Sequence, residues 1–147
     1  MLSEIKFLIL DFDNGKDKPE LKAKIMGYGE RLPAEMLHYF LLNKGVNSVV
    51  LEPDVIGLVT TVTLMDSTVN LERSRSGVLE HIGVVPADSI PVVTGFFGVS
   101  EDGRTALFGR NGSDITAVVI AEIIGSDIII FYIDVGGLLT GGFKDNF

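Results

Sequence analysis

Two neighbouring stretches restrict the fold of this sequence more than any others. Ile115 to Ile124 is apolar almost all the way round a helix, with Thr116 and Glu122 as the polar exceptions. Ile128-Ile129-Ile130-Phe131-Tyr132-Ile133 is apolar without alternation. A helix lacking a polar face belongs between layers or at an interface, and a strand apolar on both faces belongs in the middle of a sheet. The pair therefore predicts a helix ended by Gly125 and a central strand followed by Asp134, inside a layered α/β domain.

The rest of the chain fits that class. Ile5 to Phe12 reads as a buried strand or the start of a helix, and Asp13 to Pro19 as a loop. Tyr28-Gly29-Glu30-Arg31-Leu32-Pro33 leads into a helix with Pro33 in its first turn, where proline is tolerated. Met36, Leu37, Phe40 and Leu41 then recur at helical spacing up to Gly45. Ser48 to Leu51 is a short strand, Val59 to Leu64 favours β structure, and Ser76 to His81 is a short helix closed by Gly83. Pro91 to Phe97 and Arg104 to Phe108 read as the arms of a hairpin turned by Glu101-Asp102-Gly103. With no internal repeat or linker, residues 1–147 are expected to form a single domain.

Composition excludes several classes. Hydrophobic residues make up 46% of the chain and the mean hydropathy is +0.38, which supplies a core and argues against disorder. The longest apolar run falls far short of the roughly 18 residues that cross a bilayer. The first residues lack the basic region of a signal peptide, so a cytoplasmic location is expected. The absence of cysteine excludes disulfide scaffolds and thiolate zinc sites. Twelve basic against 20 acidic residues leave a net charge of −8, which disfavours nucleic acid and anionic membranes as partners.

The chemistry gathers around Gly109-Arg110-Asn111-Gly112-Ser113-Asp114, a glycine-rich bend that opens a helix. Unpaired N–H groups there carry partial positive charge, and Arg110 can fork onto a carboxylate or phosphate. The same six residues could equally be a turn in which Ser113 or Asp114 caps the helix. Asp134, at the carboxyl end of the expected strand, lies where open α/β sheets place ligands. An anion cradle beside an aspartate suits phosphoryl transfer. Neither a Walker loop nor a dinucleotide fingerprint occurs. Glu30-Arg31 could be a surface charge pair at a helix start. His38 and His81 have no ligand partner nearby in sequence and read as structural, and no metal-ligand cluster is visible.

Four blocks, in order, resemble the middle of the catalytic domain of an aspartate kinase, in the amino-acid kinase family. Gly29-Glu30-Arg31-Leu32 is similar to the family's Gly-Glu-Arg-Leu-Ser, and Ile90-Pro91-Val92-Val93-Thr94-Gly95-Phe96-Phe97-Gly98 to its Pro-Val-Val-Thr-Gly-Phe-Ile-Gly strand. Gly109 to Asp114, with Thr116 and Ala117, is similar to its Gly-Arg-Gly-Gly-Ser-Asp block. Asp134-Val135-x-Gly137 resembles its Thr-Asp-Val-Asp-Gly nucleotide motif. The blocks span residues 27 to 140.

The resemblance implies a layered α/β/α fold, truncated, with a mainly parallel central sheet and a β-hairpin. It implies transfer of the ATP γ-phosphoryl group to the β-carboxylate of aspartate, with Mg-ATP as cofactor, on the route to lysine, threonine and methionine. Carried over by position, Glu30 and Arg110 would hold the ammonium and a carboxylate of aspartate, Ser113 would help cradle anions, and Asp114 with Arg110 would serve catalysis. Asp134, Gly137 and Lys144 would face the nucleotide.

The sequence also departs from the family. Lys6-Phe7 echoes the phosphate-gripping Lys-Phe-Gly-Gly loop, but Leu8 and Ile9 replace its glycines, and the resemblance is expected to stop short of the family's regulatory part. Pro33 replaces serine, Asn111 glycine, Ile133 threonine, Gly136 aspartate and Leu139 tyrosine. Catalysis by this chain alone is therefore left open. The alternative is a non-catalytic amino-acid-binding or assembly module derived from an aspartate kinase. Either reading expects a homo-oligomer or a completing partner chain.

Overall fold

A computed structural model describes residues 2–13, 18–61 and 63–132. It opens with two helices, α1 (Leu2–Asp13) and α2 (Lys18–Asn43), followed by strands β1 (Asn47–Leu51) and β2 (Val59–Thr60) and helix α3 (Leu71–Gly83). Strands β3 (Ser89–Val93), β4 (Phe97–Ser100) and β5 (Thr105–Leu107) then lead to helix α4 (Gly112–Ile124).

The strands form two small sheets. β1 pairs with β3 in parallel, from Asn47 opposite Ser89 to Leu51 opposite Val93. β2 pairs with β4 in parallel, and β4 with β5 antiparallel. Parallel neighbours need a crossover, and α3 lies within the connection of both parallel pairs. Alternation in β1 separates the layers. Ser48 meets His38 of α2, whose Nδ1 lies 2.8 Å from Ser48 Oγ, while Val49 and Leu51 turn to the main core. That core joins Leu51, Ile56 and Leu58 to Val78 of α3 and to Ile120 and Ile123 of α4. A second cluster, Ala23, Phe97 and Leu107, fastens α2 to the hairpin. The described residues thus form an α/β fold with parallel pairing and a hairpin, as expected. None of the described helices is long and apolar enough to cross a membrane.

Several local expectations change. Ile5 to Phe12 is helical. Pro33 does not begin a helix but lies inside α2, since the preceding turns are held by buried Ala23 and by Gly27 against Phe97. Such contacts offset the ~3 kcal/mol that an internal proline costs. The short helix at Ser76 starts earlier, at Leu71, because the Asn70 side chain accepts a hydrogen bond from Arg73 N. The first hairpin arm is Phe97–Ser100 rather than Pro91 to Phe97. The chain bends at Phe96, which has a φ of +79°, and Ser89–Val93 joins β1 instead. The apolar helix buries one face, while Val118 and Ile124 stay exposed.

The largest correction concerns Ile128 to Ile133. Its described part, Ile128 to Tyr132, forms no strand and is exposed, 73% at Ile128 and 93% at Tyr132. An apolar run becomes a strand only when its backbone finds a ladder to join. Here Ile128, Ile129 and Ile130 instead line a groove with β3 and α4. Ile133 and Asp134 lie outside the described residues.

Candidate active site

A cleft of about 520 Å³ opens where α2, the bend at Phe96 and the start of α4 converge. Glu30, Arg110, Ser113 and Asp114 all line it, with Phe96 and Met26 among the apolar wall. Ser113 Oγ donates to Glu30 Oε2 at 3.4 Å, joining residues 83 positions apart. Four of the residues expected at the site are therefore brought together. Glu30 is half-buried, whereas Arg110, Ser113 and Asp114 are exposed. Asp134, Gly137 and Lys144, expected at a nucleotide, lie outside the described residues.

Backbone geometry explains the convergence. Gly109 (φ +75°) and Asn111 (φ +58°) both take the left-handed conformation, which turns the chain into α4. Asparagine tolerates that region better than most residues, so Asn111 can stand where the family has glycine. The N-cap is Asn111, with no side-chain capping bond. Ser113 and Asp114 accordingly lie inside the first helical turn rather than capping it. That leaves the Ser113 hydroxyl for Glu30 and places the helix's positive end at the cleft.

The opposite wall is held as firmly. Phe96 N donates to Thr116 Oγ1 at 3.1 Å, and Phe96 O accepts from Phe108 N at 2.9 Å. Thr116 Oγ1 in turn donates to Gly112 O at 2.9 Å. A Cβ on Gly95 would stand 2.9 Å from Ser113 Cα, and one on Gly112 would stand 2.8 Å from the Phe96 ring. Two glycines thus let the Thr94–Phe96 bend and the start of α4 touch. Phe96, a wall residue, and Thr116, its buried support, were passed over by site reasoning from sequence, although both stand inside the blocks that carried the resemblance.

A half-anionic, half-cationic cleft of this kind suits a ligand bearing both an ammonium and carboxylates. Glu30 can receive the cation, and Arg110 with the α4 terminus can receive the anions. His38 and His81 lie elsewhere: His81 Nδ1 donates to Gly77 O at 2.8 Å within α3. Among the described residues, no group of three or more His, Asp or Glu side chains could hold a metal.

Comparison with known proteins gives the family and the fold. Residues 5–146 match the amino acid kinase family. The chain is 29% identical over 126 residues to a bifunctional aspartokinase/homoserine dehydrogenase of Haemophilus influenzae, covering 86% of this chain and 15% of that protein. It is 30% identical over 140 residues to aspartokinase 3 of Bacillus subtilis, covering 91% of this chain and 28% of that one. The chain therefore spans well under a third of the length of either relative. Its fold superposes on E. coli aspartokinase III, crystallised with aspartate and ADP, with a TM-score of 0.73 and 21% identity, over 84% of this chain and 27% of that one. The chain belongs to the amino acid kinase family and is aspartokinase-like in sequence and fold.

Proposed function

We propose that this chain works in the aspartate kinase reaction and that the Glu30–Arg110 cleft holds the aspartate. The observation that carries the reading is the meeting of Glu30 with Ser113 at 3.4 Å in a cleft also lined by Arg110 and Asp114. Glu30 takes the α-ammonium, Arg110 takes a carboxylate, and Ser113 supplies a hydroxyl to the anionic side. In the full reaction a β-carboxylate oxygen of aspartate bonds to the γ-phosphorus of ATP, and ADP leaves. Asp134, Gly137 and Lys144 are the residues we assign to Mg-ATP. Charge neutralisation and positioning carry most of such a transfer. We place the work in the cytoplasm, in an assembly of like chains or with a completing chain.

Calorimetric titration with aspartate tests the reading. Saturable binding is expected, preferred over succinate, which lacks the ammonium. Arg110→Ala should weaken it by ~10- to 100-fold, the worth of a hydrogen bond to a charged group, and Glu30→Gln should remove the preference over succinate. No saturation at millimolar aspartate would overturn the proposal.

A second reading, an amino-acid-binding module without catalysis, is favoured by one observation. Lys6-Phe7, the echo of the phosphate-gripping loop, lies in the middle of helix α1 with Phe7 exposed. Hydroxylamine trapping of aspartyl phosphate in the presence of Mg-ATP separates the two, since binding without trapped product selects the module.

A further inference from the structure

Arg31 follows Glu30 directly on α2, and successive helical residues point about 100° apart. Glu30 turns to the cleft while Arg31 turns away from it into a socket of its own. Arg31 Nε lies 2.7 Å from Glu52 Oε2, and Nη2 lies 3.2 Å from Asp54 Oδ2. Both acids belong to the turn that leaves β1. The guanidinium also stands 4.6 Å from the ring centroid of Phe97 and 5.1 Å from that of Tyr28. The Arg31 side chain is 12% exposed, so this is not a loose surface pair.

These contacts reach the candidate site from behind. Phe97 is fully buried in β4 and follows Phe96, the strained residue of the cleft wall. Glu52 and Asp54 fasten the other side of Arg31 to the end of β1. One guanidinium therefore joins α2 to two strands. Contacts of this kind oppose rolling of α2 about its axis and drift from β4, and either motion would carry Glu30 away from Ser113. Lysine cannot replace this arrangement, because a point charge does not fork between two acids while stacking on rings.

We propose that Arg31 is the positioning residue of the cleft, fixing the rotation and distance of α2 that set Glu30 opposite Ser113. Its consequence for ligand choice rests on the aspartate reading above, whereas its geometric role does not. Without Arg31 the Glu30 carboxylate loses its fixed place, and recognition of the ligand's ammonium goes with it. Recognition of the anion by Arg110 remains.

The test uses two readouts. The chain contains no cysteine, so Glu30→Cys with Ser113→Cys creates a single thiol pair, whose rate of bridging by dibromobimane reports the Glu30–Ser113 separation without any ligand. Adding Arg31→Met should slow bridging at least tenfold, and Arg31→Lys should not restore it. A rate within twofold of the parent in a folded Arg31→Met chain would overturn the proposal. Should Arg31→Met fail to fold, Glu52→Gln with Asp54→Asn keeps the stacked guanidinium but removes its acids, and the same slowing is expected. In the otherwise unaltered chain, Arg31→Met should lose the preference for aspartate over succinate while keeping succinate affinity; an undiminished preference would also overturn the proposal. If bridging slows but the unaltered chain shows no preference for aspartate, the aspartate reading fails and the positioning role stands.

Discussion

Gly95 and Thr94 sit side by side in the bend that faces the start of α4, and each leads to a measurable expectation. A methyl group on Gly95 would meet the Ser113 backbone at 2.9 Å, and backbone does not yield as a side-chain tip does. Gly95→Ala should therefore cost ~1–3 kcal/mol as an overpacked contact and weaken aspartate binding by displacing Ser113. Gly83→Ala, where nothing lies within 4 Å, should change stability by less than about 0.5 kcal/mol. Thermal melts of the two variants check the contrast. Thr94 presents the opposite problem. The residue is 1% exposed, and its buried Oγ1 has no hydrogen-bond partner among the described residues. An unsatisfied buried hydroxyl costs ~1–3 kcal/mol, so Thr94→Val, which keeps the shape, should raise Tm by about 2–4 °C for each kcal/mol relieved. A lower Tm would mean that the hydroxyl has a partner in solution. The sequence shows both residues as part of a block but gives no warning of the strain, because close approach and lost partners belong to tertiary contacts.

At the scale of elements, the hairpin turn is the best-defined polar unit. Asp102 Oδ2 accepts from Arg104 Nε at 2.8 Å, and Oδ1 accepts from Ser100 Oγ at 2.5 Å. The Arg104 hydrogen bond foremost, then that from Ser100, lower the Asp102 carboxyl from 3.8 to about 2. A carboxyl with a folded pKa below its unfolded value stabilises the folded state fully above the unfolded pKa, and that contribution fades as pH falls through the folded one. The turn should therefore hold down to about pH 4 and lose this support between there and about pH 2. An NMR titration of the Asp102 carboxyl should have its midpoint near 2, moving toward 3.8 in Arg104→Ala. A midpoint of 3.8 in the unaltered chain would remove the explanation. The turn itself was legible, since Glu101-Asp102-Gly103 supplies a residue at positive φ, Gly103 at +83°. Which strand preceded it was not, because Pro91 to Phe97 reads as one strand and only the bend at Phe96, at a φ of +79°, divides it. The cap of α3 at Asn70 was missed, since the helix was expected only from Ser76, and Pro33 misled because packing ahead of it outweighed its preference for a first turn.

For the whole molecule, the α/β class was legible in the sequence, whereas the packing of individual elements was not. Glu30 and Ser113 stand 83 positions apart and yet line one cleft with Arg110 and Asp114, a convergence that the sequence suggested only through the resemblance of their two blocks. The framework misled where apolar content stood in for burial. Ile128 to Tyr132 has the composition of a central strand but lies exposed, and α2 shows Met36, Tyr39 and Phe40 to solvent. Apolar surface of this kind marks interaction sites or aggregation hazards in soluble chains. Self-association is therefore expected at micromolar concentration, with light scattering giving a mass above 15.9 kDa. Met36→Lys with Phe40→Glu should lower that mass if α2 carries the contact, and Ile128→Lys with Ile130→Glu should do so if the exposed run carries it. A monodisperse monomer of the unaltered chain would overturn the expectation of self-association through either surface.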